Sequence, residues 1–240
     1  MTPFLSSRWS DIFIQTWAVP EAQLRPFLLP EMVPDRWDGD ALVSLMALDM
    51  IDNRLFGMRL PGRRRIPEVS LKIHVRDGRR RGVTTVRTFV PRPMMAGMSR
   101  LTVNEPVLAV PYHRGGEEHE LRFGGRTHRI AWTAVGDPAM PPEGGFEDFL
   151  INAPWLFGKH WSGIPLSQRL EHPRWPVWTD VRARLDVDPV ALFGEHWQIL
   201  AATAPRRTFV AQGSEVEVHA FAGFIEGQRA ARPGTTPAPA

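Results

Sequence analysis

The stretch PEVSLKIHVR, residues 67–76, alternates polar and apolar side chains over most of its length. A period of two is typical of a β-strand that buries one face and turns the other face away from the core. The stretch therefore predicts a strand whose apolar face packs against other elements. Its apolar residues are Val69, Leu71, Ile73 and Val75.

The polar face of this strand carries four different functional groups in one row. A carboxylate, a hydroxyl, an amine and an imidazole come from Glu68, Ser70, Lys72 and His74. Two interpretations stay open at this point. The row faces water and Lys72 pairs with Glu68 in solvent, or the row lines a cavity and forms a site.

Composition favours one globular domain. The chain has 240 residues, of which 43% are hydrophobic and 23% charged, and this is ordinary for a globular protein. We expect a single domain over residues 1–227 and a disordered tail over residues 228–240, because the tail lacks apolar residues.

Charge and cysteine content limit the partners that we expect. The formal net charge is only +3, which is weak support for a nucleic-acid partner, and no apolar run reaches membrane-spanning length. The chain has no cysteine and its first residues lack a signal-peptide pattern, so we expect a cytoplasmic protein. Its predicted partner is a small-molecule substrate, with neither nucleic acid nor membrane, and the sequence leaves open whether it forms a homo-oligomer.

Strand patterns and glycine turns predict a mainly β fold. A turn at Gly115-Gly116 would place Tyr112 opposite His119, and a turn at Gly124-Gly125 would place Phe123 opposite Arg126. Many strands with few long gaps predict a closed or nearly closed antiparallel β-barrel with short peripheral helices, one of them over residues 93–102. The triplets Arg63–Arg65 and Arg79–Arg81 are predicted to be solvated, dispensable loops.

Four motifs in a fixed order resemble a known family. They are Pro67-Glu68-Val69-Ser70-Leu71-Lys72, Arg81-Gly82-Val83, Val90-Pro91-Arg92-Pro93 and Asn104-Glu105. Together they resemble an uncharacterised bacterial family with an acetoacetate decarboxylase-like fold, over roughly residues 8–180. The resemblance implies a barrel with an interior cavity, in which Glu68 matches the acid that lines the decarboxylase pocket.

The chain also departs from the sequence pattern of the decarboxylases and from that of the uncharacterised family. The position of the decarboxylase Schiff-base lysine corresponds to Pro111-Tyr112-His113, where no lysine stands, so the resemblance does not imply decarboxylation. Lys72 stands where the family usually has Arg, and Ser70 where it has Asn. The apolar LINAPWLFG, residues 150–158, replaces a polar stretch and implies a more hydrophobic cavity that this segment closes.

These observations predict a cofactor-independent enzyme of the lyase, dehydratase or cyclase type, acting in biosynthesis on a fairly hydrophobic keto, enol or carboxylate substrate. Burial would favour a free amine on Lys72 for imine formation, whereas Glu68 would favour the ammonium ion as an electrostatic group. The alternative is a non-catalytic protein that binds a hydrophobic small ligand. We expect no metal; the candidate catalytic residues are Glu68, Lys72, Tyr112 and His113, and the candidate substrate-binding residues are Ser70, His74, Trp155 and Phe157.

Overall fold

A computed structural model describes residues 3–30, 32–61, 64–93, 106–159 and 165–219 of the chain. The predicted tail therefore lies outside the described residues, and so does nearly all of the helix predicted over residues 93–102. None of the helices in the described part is long and apolar enough to span a membrane.

Seven strands form a closed barrel. Each pairs with the next, and the first and last strands of the series also pair with each other, so the sheet has no free edge at this level. Neighbouring strands are antiparallel except for one parallel pair, β7 with β12. In order around the barrel the strands are β1 (Leu5–Val19), β17 (Glu215–His219), β13 (Pro165–Glu171), β12 (Trp155–Lys159), β7 (Arg80–Val90), β6 (Arg65–Asp77) and β4 (Asp40–Leu55). The predicted fold class is confirmed.

Short elements extend the barrel sheet and cap it. The additional strands are β2 (Val33–Pro34), β3 (Arg36–Trp37), β5 (Met58–Arg59), β8 (Val107–Ala109), β14 (Val177–Trp178) and β16 (Arg207–Ala211). The α-helices are α1 (Glu21–Leu24), α2 (Phe146–Ile151), α3 (Pro189–Phe193) and α4 (Ile199–Ala202), and single 3-10 turns lie at Arg25–Phe27 and Glu195–Trp197. The helices of the described part are thus short and peripheral, as the sequence predicts.

A second, four-stranded antiparallel sheet packs on the outside of the barrel. Its strands, in order, are β15 (Val181–Asp186), β11 (Arg126–Ala134), β10 (Glu118–Phe123) and β9 (Tyr112–Gly115). The turn at Gly124-Gly125 is as predicted, with Phe123 opposite Arg126. The other turn is shifted by one residue, because Gly116 takes the positive φ that the turn needs, and Tyr112 pairs with Leu121 instead of His119.

Two hydrophobic clusters lie on the two sides of the barrel wall. The inner cluster lies on the inner side of the wall and includes Ile12, Ile14, Leu42, Leu48, Met50, Phe149, Leu150, Ile151 and Phe209. The outer cluster joins the barrel to the second sheet and to α3, and it includes Phe13, Leu45, Val69, Leu71, Ile73, Val75, Leu121, Ile130, Trp132, Phe157 and Phe193. Residues that alternate along one strand therefore fall into different clusters.

Buried arginines link the layers of the fold. Nε of Arg114 on β9 lies 3.0 Å from the carboxylate of Asp49, which is fully buried on β4. Arg80 and Arg81 are half-buried rather than solvated: Arg80 donates to Ser167, and Arg81 donates to Asp35 at 2.6 Å. The prediction that the triplet Arg79–Arg81 is a solvated loop is wrong for these two residues, because both lie within strand β7 and contact neighbouring strands and α2.

Candidate functional site

The polar row of β6 points into the barrel. The apolar residues that alternate with this row along β6 all belong to the outer cluster, so the polar side chains face the opposite side of the strand. Across the ladder to β4, Glu68 pairs with Leu48, a member of the inner cluster, and Lys72 pairs with Ser44. Ser70 is 0% exposed, His74 3% and Lys72 7%, so the row does not face bulk water. The interpretation in which the row faces water is therefore wrong, because the row faces the barrel interior.

Glu68 and Lys72 approach each other inside the barrel. Nζ of Lys72 lies 4.0 Å from Oε1 of Glu68, although the two residues are four positions apart on a strand. The ammonium group also lies over the ring of Trp9, 5.8 Å from its centroid. A buried ammonium needs such partners because its desolvation is costly. The pair presents one anionic and one cationic group against an apolar wall.

Ser70 stands between these two residues on the same face of β6. Its hydroxyl group is fully buried, and no hydrogen-bond partner for it lies among the described residues. An unsatisfied buried hydroxyl costs about 1–3 kcal/mol. A polar atom of a bound molecule in the barrel would satisfy this hydroxyl group.

A chain of hydrogen bonds crosses three strands beside the row. The hydroxyl of Ser44 lies 2.8 Å from Nε2 of His74 and 2.8 Å from the hydroxyl of Thr16. The imidazole stacks at 6.2 Å on Phe149, which lies beneath the guanidinium group of Arg81. Burial, together with the positive charges of Arg81 and Lys72, lowers the pKa of His74 to about 3. His74 is therefore neutral at physiological pH and acts as a hydrogen-bonding group.

This lowered pKa predicts a dependence of stability on pH. The unfolded chain binds a proton on His74 near pH 6.5 and the folded protein only near pH 3, so the neutral state contributes stability above pH 6.5 that is lost as the pH falls toward 3. We expect His74→Gln to lose this contribution. Between pH 6.5 and about pH 5, the free energy of unfolding should fall by about 2 kcal/mol more in the wild type than in the variant.

Urea unfolding at both pH values measures this difference. The contributions of the other histidines to the change in unfolding free energy cancel, because both proteins carry them. Equal losses in the two proteins would show that His74 is not held neutral by burial.

Helix α2 packs against the inner cluster. Leu150 and Ile151 are buried in the inner cluster with Phe149. Their segment is part of the apolar stretch that the sequence predicts to close the cavity. The other half of that stretch behaves differently, because it forms strand β12 in the barrel wall.

The structure does not bring Trp155 and Phe157 into the barrel. Phe157 belongs to the outer cluster, whereas Leu156 between them packs on the inner cluster. Trp155 lies 4.8 Å from the guanidinium carbon of Arg80. Alternation along β12 places both aromatic rings on the outer side of the wall, away from the row of β6.

Tyr112 and His113 also lie outside the barrel, on β9 of the second sheet. The hydroxyl of Tyr112 is hydrogen-bonded to Nδ1 of His119, and its ring packs on the outer cluster. Burial and the negative charge of Asp49 raise the pKa of Tyr112 well above its usual value. His113 is exposed. Both candidates therefore belong to the second sheet and not to the strand that carries Lys72, although Glu68 is near enough to Tyr112 for its charge to contribute to the raised pKa.

Three inner residues near the row were not predicted as part of the site. Trp9 and Thr16 lie on β1, a strand that the sequence analysis did not identify. Ser44 lies on β4, which reads as apolar on both faces. The one sequence feature that could have indicated these residues is Ser44 itself, a hydroxyl residue in the middle of an apolar strand.

Comparison with known proteins agrees with this architecture. The family DUF2071, described as an uncharacterized conserved protein, matches residues 6–215. Acetoacetate decarboxylase from Legionella pneumophila subsp. pneumophila str. Philadelphia 1 is similar in structure, with a TM-score of 0.64 and 13% identity over 91% of this chain and 86% of that chain. None of the curated proteins matches the sequence significantly.

Two further solved structures share the fold. An acetoacetate decarboxylase-like enzyme from Sphingomonas wittichii RW1 aligns with a TM-score of 0.60 and 13% identity, covering 92% of this chain and 93% of that chain. The enduracididine biosynthesis enzyme MppR with bound HEPES aligns with a TM-score of 0.60 and 15% identity, covering 91% and 87%. MppR has also been solved in a complex with pyruvate. At these identities the similarity establishes the fold.

Proposed function

Because the chain belongs to the uncharacterized conserved family DUF2071 and has an acetoacetate decarboxylase-like fold, we propose that it is a small-molecule enzyme whose site is the barrel interior. The proposed substrate carries a keto, enol or carboxylate group on a fairly hydrophobic body. The proposed reaction is a lyase, dehydratase or cyclase step that uses side chains of the protein and no cofactor.

The unpartnered hydroxyl of Ser70 carries this proposal. It is fully buried between an acid and an amine that both point into the barrel. Folding gains nothing from an unsatisfied buried hydroxyl, whereas a ligand gains a hydrogen bond from it. A carboxylate or carbonyl oxygen is the complementary group, because it accepts from both Ser70 and the ammonium ion of Lys72.

Lys72 has two proposed roles that differ in chemistry. As an ammonium ion it stabilises the negative charge on a carboxylate or an enolate. As a free amine it attacks a ketone carbon, the carbonyl oxygen leaves as water, and an imine links the substrate to Nζ. In either case Glu68, 4.0 Å from Nζ, is the group placed to move a proton.

The inner surface supports a substrate with an apolar body. Trp9 lies over the ammonium group, and the inner cluster supplies the surrounding wall. MppR has been solved with pyruvate and with the condensation product of pyruvate and imidazole 4-carboxaldehyde. Keto acids are therefore the first probes to use on this chain.

Glu68→Gln tests whether the barrel is catalytic. Wild type and variant would be incubated with pyruvate, acetoacetate and longer apolar keto acids, with binding followed by calorimetry and conversion by NMR. The proposal expects conversion by the wild type of at least one of them and a loss of conversion in Glu68→Gln with binding retained. Binding without conversion by the wild type would contradict catalysis and favour a binding protein.

A second candidate function, binding of a hydrophobic small ligand without catalysis, has its own supporting observation. A cavity of about 250 Å³ lies outside the barrel, between its wall and the helices α3 and α4. Its lining is largely apolar and includes Trp17, Leu71, Phe193 and Leu200. A cavity of this kind suits a small apolar molecule. Binding there would not depend on Glu68, which distinguishes it from the barrel site.

A further inference from the structure

Three potential metal ligands meet on the outer surface of the barrel, where β13 pairs with β17. Glu171 lies directly opposite Glu217, and His219 follows two positions later on the same face of β17. Val216 and Val218 alternate with the two β17 residues and belong to the inner cluster, so the three polar side chains point outward. The group is separate from the row of β6.

The ligand atom of His219 lies at metal-site spacing from each of the two carboxylate oxygens. Nε2 of His219 lies 3.4 Å from Oε2 of Glu171 and 3.5 Å from Oε2 of Glu217, and all three atoms lie within 4.8 Å of one another. Ligands bound tetrahedrally to zinc at about 2.0–2.1 Å are about 3.3–3.4 Å apart. Ordinary N–H···O hydrogen bonds are shorter than the observed distances.

The hydrogen-bonding state of the imidazole nitrogen is a second observation, although the His219 side chain as a whole is 23% exposed. Nε2 of His219 is itself buried and has no hydrogen-bond partner among the described residues. It nevertheless points between two carboxylate oxygens. A buried donor or acceptor is normally paired, so this atom is one that a bound ion would satisfy.

We propose that Glu171, Glu217 and His219 bind one divalent transition-metal ion of the zinc type. One imidazole and two carboxylates suit zinc, whereas magnesium and calcium prefer oxygen ligands alone. Nε of Arg169 donates to Oε1 of Glu171 at 2.9 Å, which leaves Oε2 turned toward His219. The half-exposed carboxylates leave a fourth position for water.

Such an ion would cross-link two neighbouring strands of the barrel. It would join β13 to β17, and β17 also pairs with β1, so the ion would hold one segment of the closed wall. Ligand binding to the folded state alone raises the melting temperature as metal concentration rises. The site is therefore expected to stabilise the protein independently of any activity in the barrel.

Zinc titration of the full chain tests this proposal. Calorimetry with zinc chloride on chelator-treated protein should show one ion per chain, and the melting temperature should rise with zinc. Glu217→Gln and His219→Ala should each weaken binding by about tenfold or more and lose the thermal shift. Glu215→Gln is the matched control, because it removes a carboxylate from the same strand outside the group and should bind zinc like the wild type.

The melting temperatures without metal show that each variant is folded. Zinc binding in both variants equal to that of the wild type would overturn the proposal, since the ion would then lie elsewhere. Absence of binding to the wild type up to about 1 mM zinc would overturn it as well.

Discussion

Lys72→Met should leave the protein folded and reduce ligand affinity in the barrel by about 10- to 100-fold, which corresponds to the loss of one charge-assisted hydrogen bond. Methionine preserves the apolar stem of the side chain, but it removes the charge that faces Glu68 and lies over the ring of Trp9. Calorimetric titration with the keto acid that binds best measures the loss. Conversion should fall at least as far as affinity.

The two roles of Lys72 make opposite predictions for Lys72→Arg. An electrostatic role is partly preserved by the guanidinium group, whereas imine formation is abolished because arginine cannot form the adduct. Borohydride reduction in the presence of a keto acid, followed by mass spectrometry, separates the two roles.

Lys159 is the matched control for both experiments, because it is the only other lysine in the chain and lies exposed at the end of β12. Lys159→Met should bind and react like the wild type. An equal loss of affinity in both methionine variants would contradict a specific role for Lys72.

Gly82→Ala should destabilise the protein by about 3 kcal/mol or more, because it prevents the close approach that closes the barrel. A methyl group on Gly82 would lie 2.1 Å from the carbonyl oxygen of Trp155 and 2.7 Å from Cε2 of Phe157. Gly82 and Trp155 are partners in the one parallel strand pair of the barrel. Urea unfolding followed by circular dichroism measures the loss.

Gly115→Ala is the control for this prediction. A methyl group there would meet only the side chain of His113, at 3.1 Å, and that exposed ring is free to move. We expect a change within about 0.5 kcal/mol. Equal stability of Gly82→Ala and Gly115→Ala would mean that β7 and β12 do not pack as closely as the structure has them.

The sequence was most informative where local and tertiary constraints agree. Alternation along β6 predicted the strand and which residues share a face, and its apolar side chains all reach the outer cluster. It left open whether the polar face meets water or the barrel interior. The closed barrel followed from the number of strands and from the family resemblance. Only with the barrel implied by the resemblance are Ser70, Lys72 and His74 expected on one inward face, and the pairing of β6 with β4 agrees with that placement.

The remaining site residues could not be predicted because they depend on long-range register. Strand β1 has a register shift between Ser10 and Phe13, with Asp11 at a φ of 52°, and this shift breaks the alternation that would reveal a strand. Tyr112 was assigned to the site from the family pattern, but β9 leaves the barrel and joins the second sheet.

Pairing also explains the misplaced aromatic residues. Trp155 and Phe157 stand in an apolar segment that carries no periodic signal of its own. Their side is set by the parallel pairing of Trp155 with Gly82, which is more than 70 positions away in the sequence. The sequence therefore predicted the strand that carries the proposed site more reliably than the other segments that reach it.

A crystal structure of the protein soaked with pyruvate, or with the keto acid that binds best, tests the central claim most directly. The proposed site predicts ligand density inside the barrel, with one oxygen within hydrogen-bond distance of the Ser70 hydroxyl and of Nζ of Lys72, or continuous density from Nζ if an imine forms. Density only outside the barrel, with the amine of Lys72 in solvent and no space beside Glu68, would contradict it.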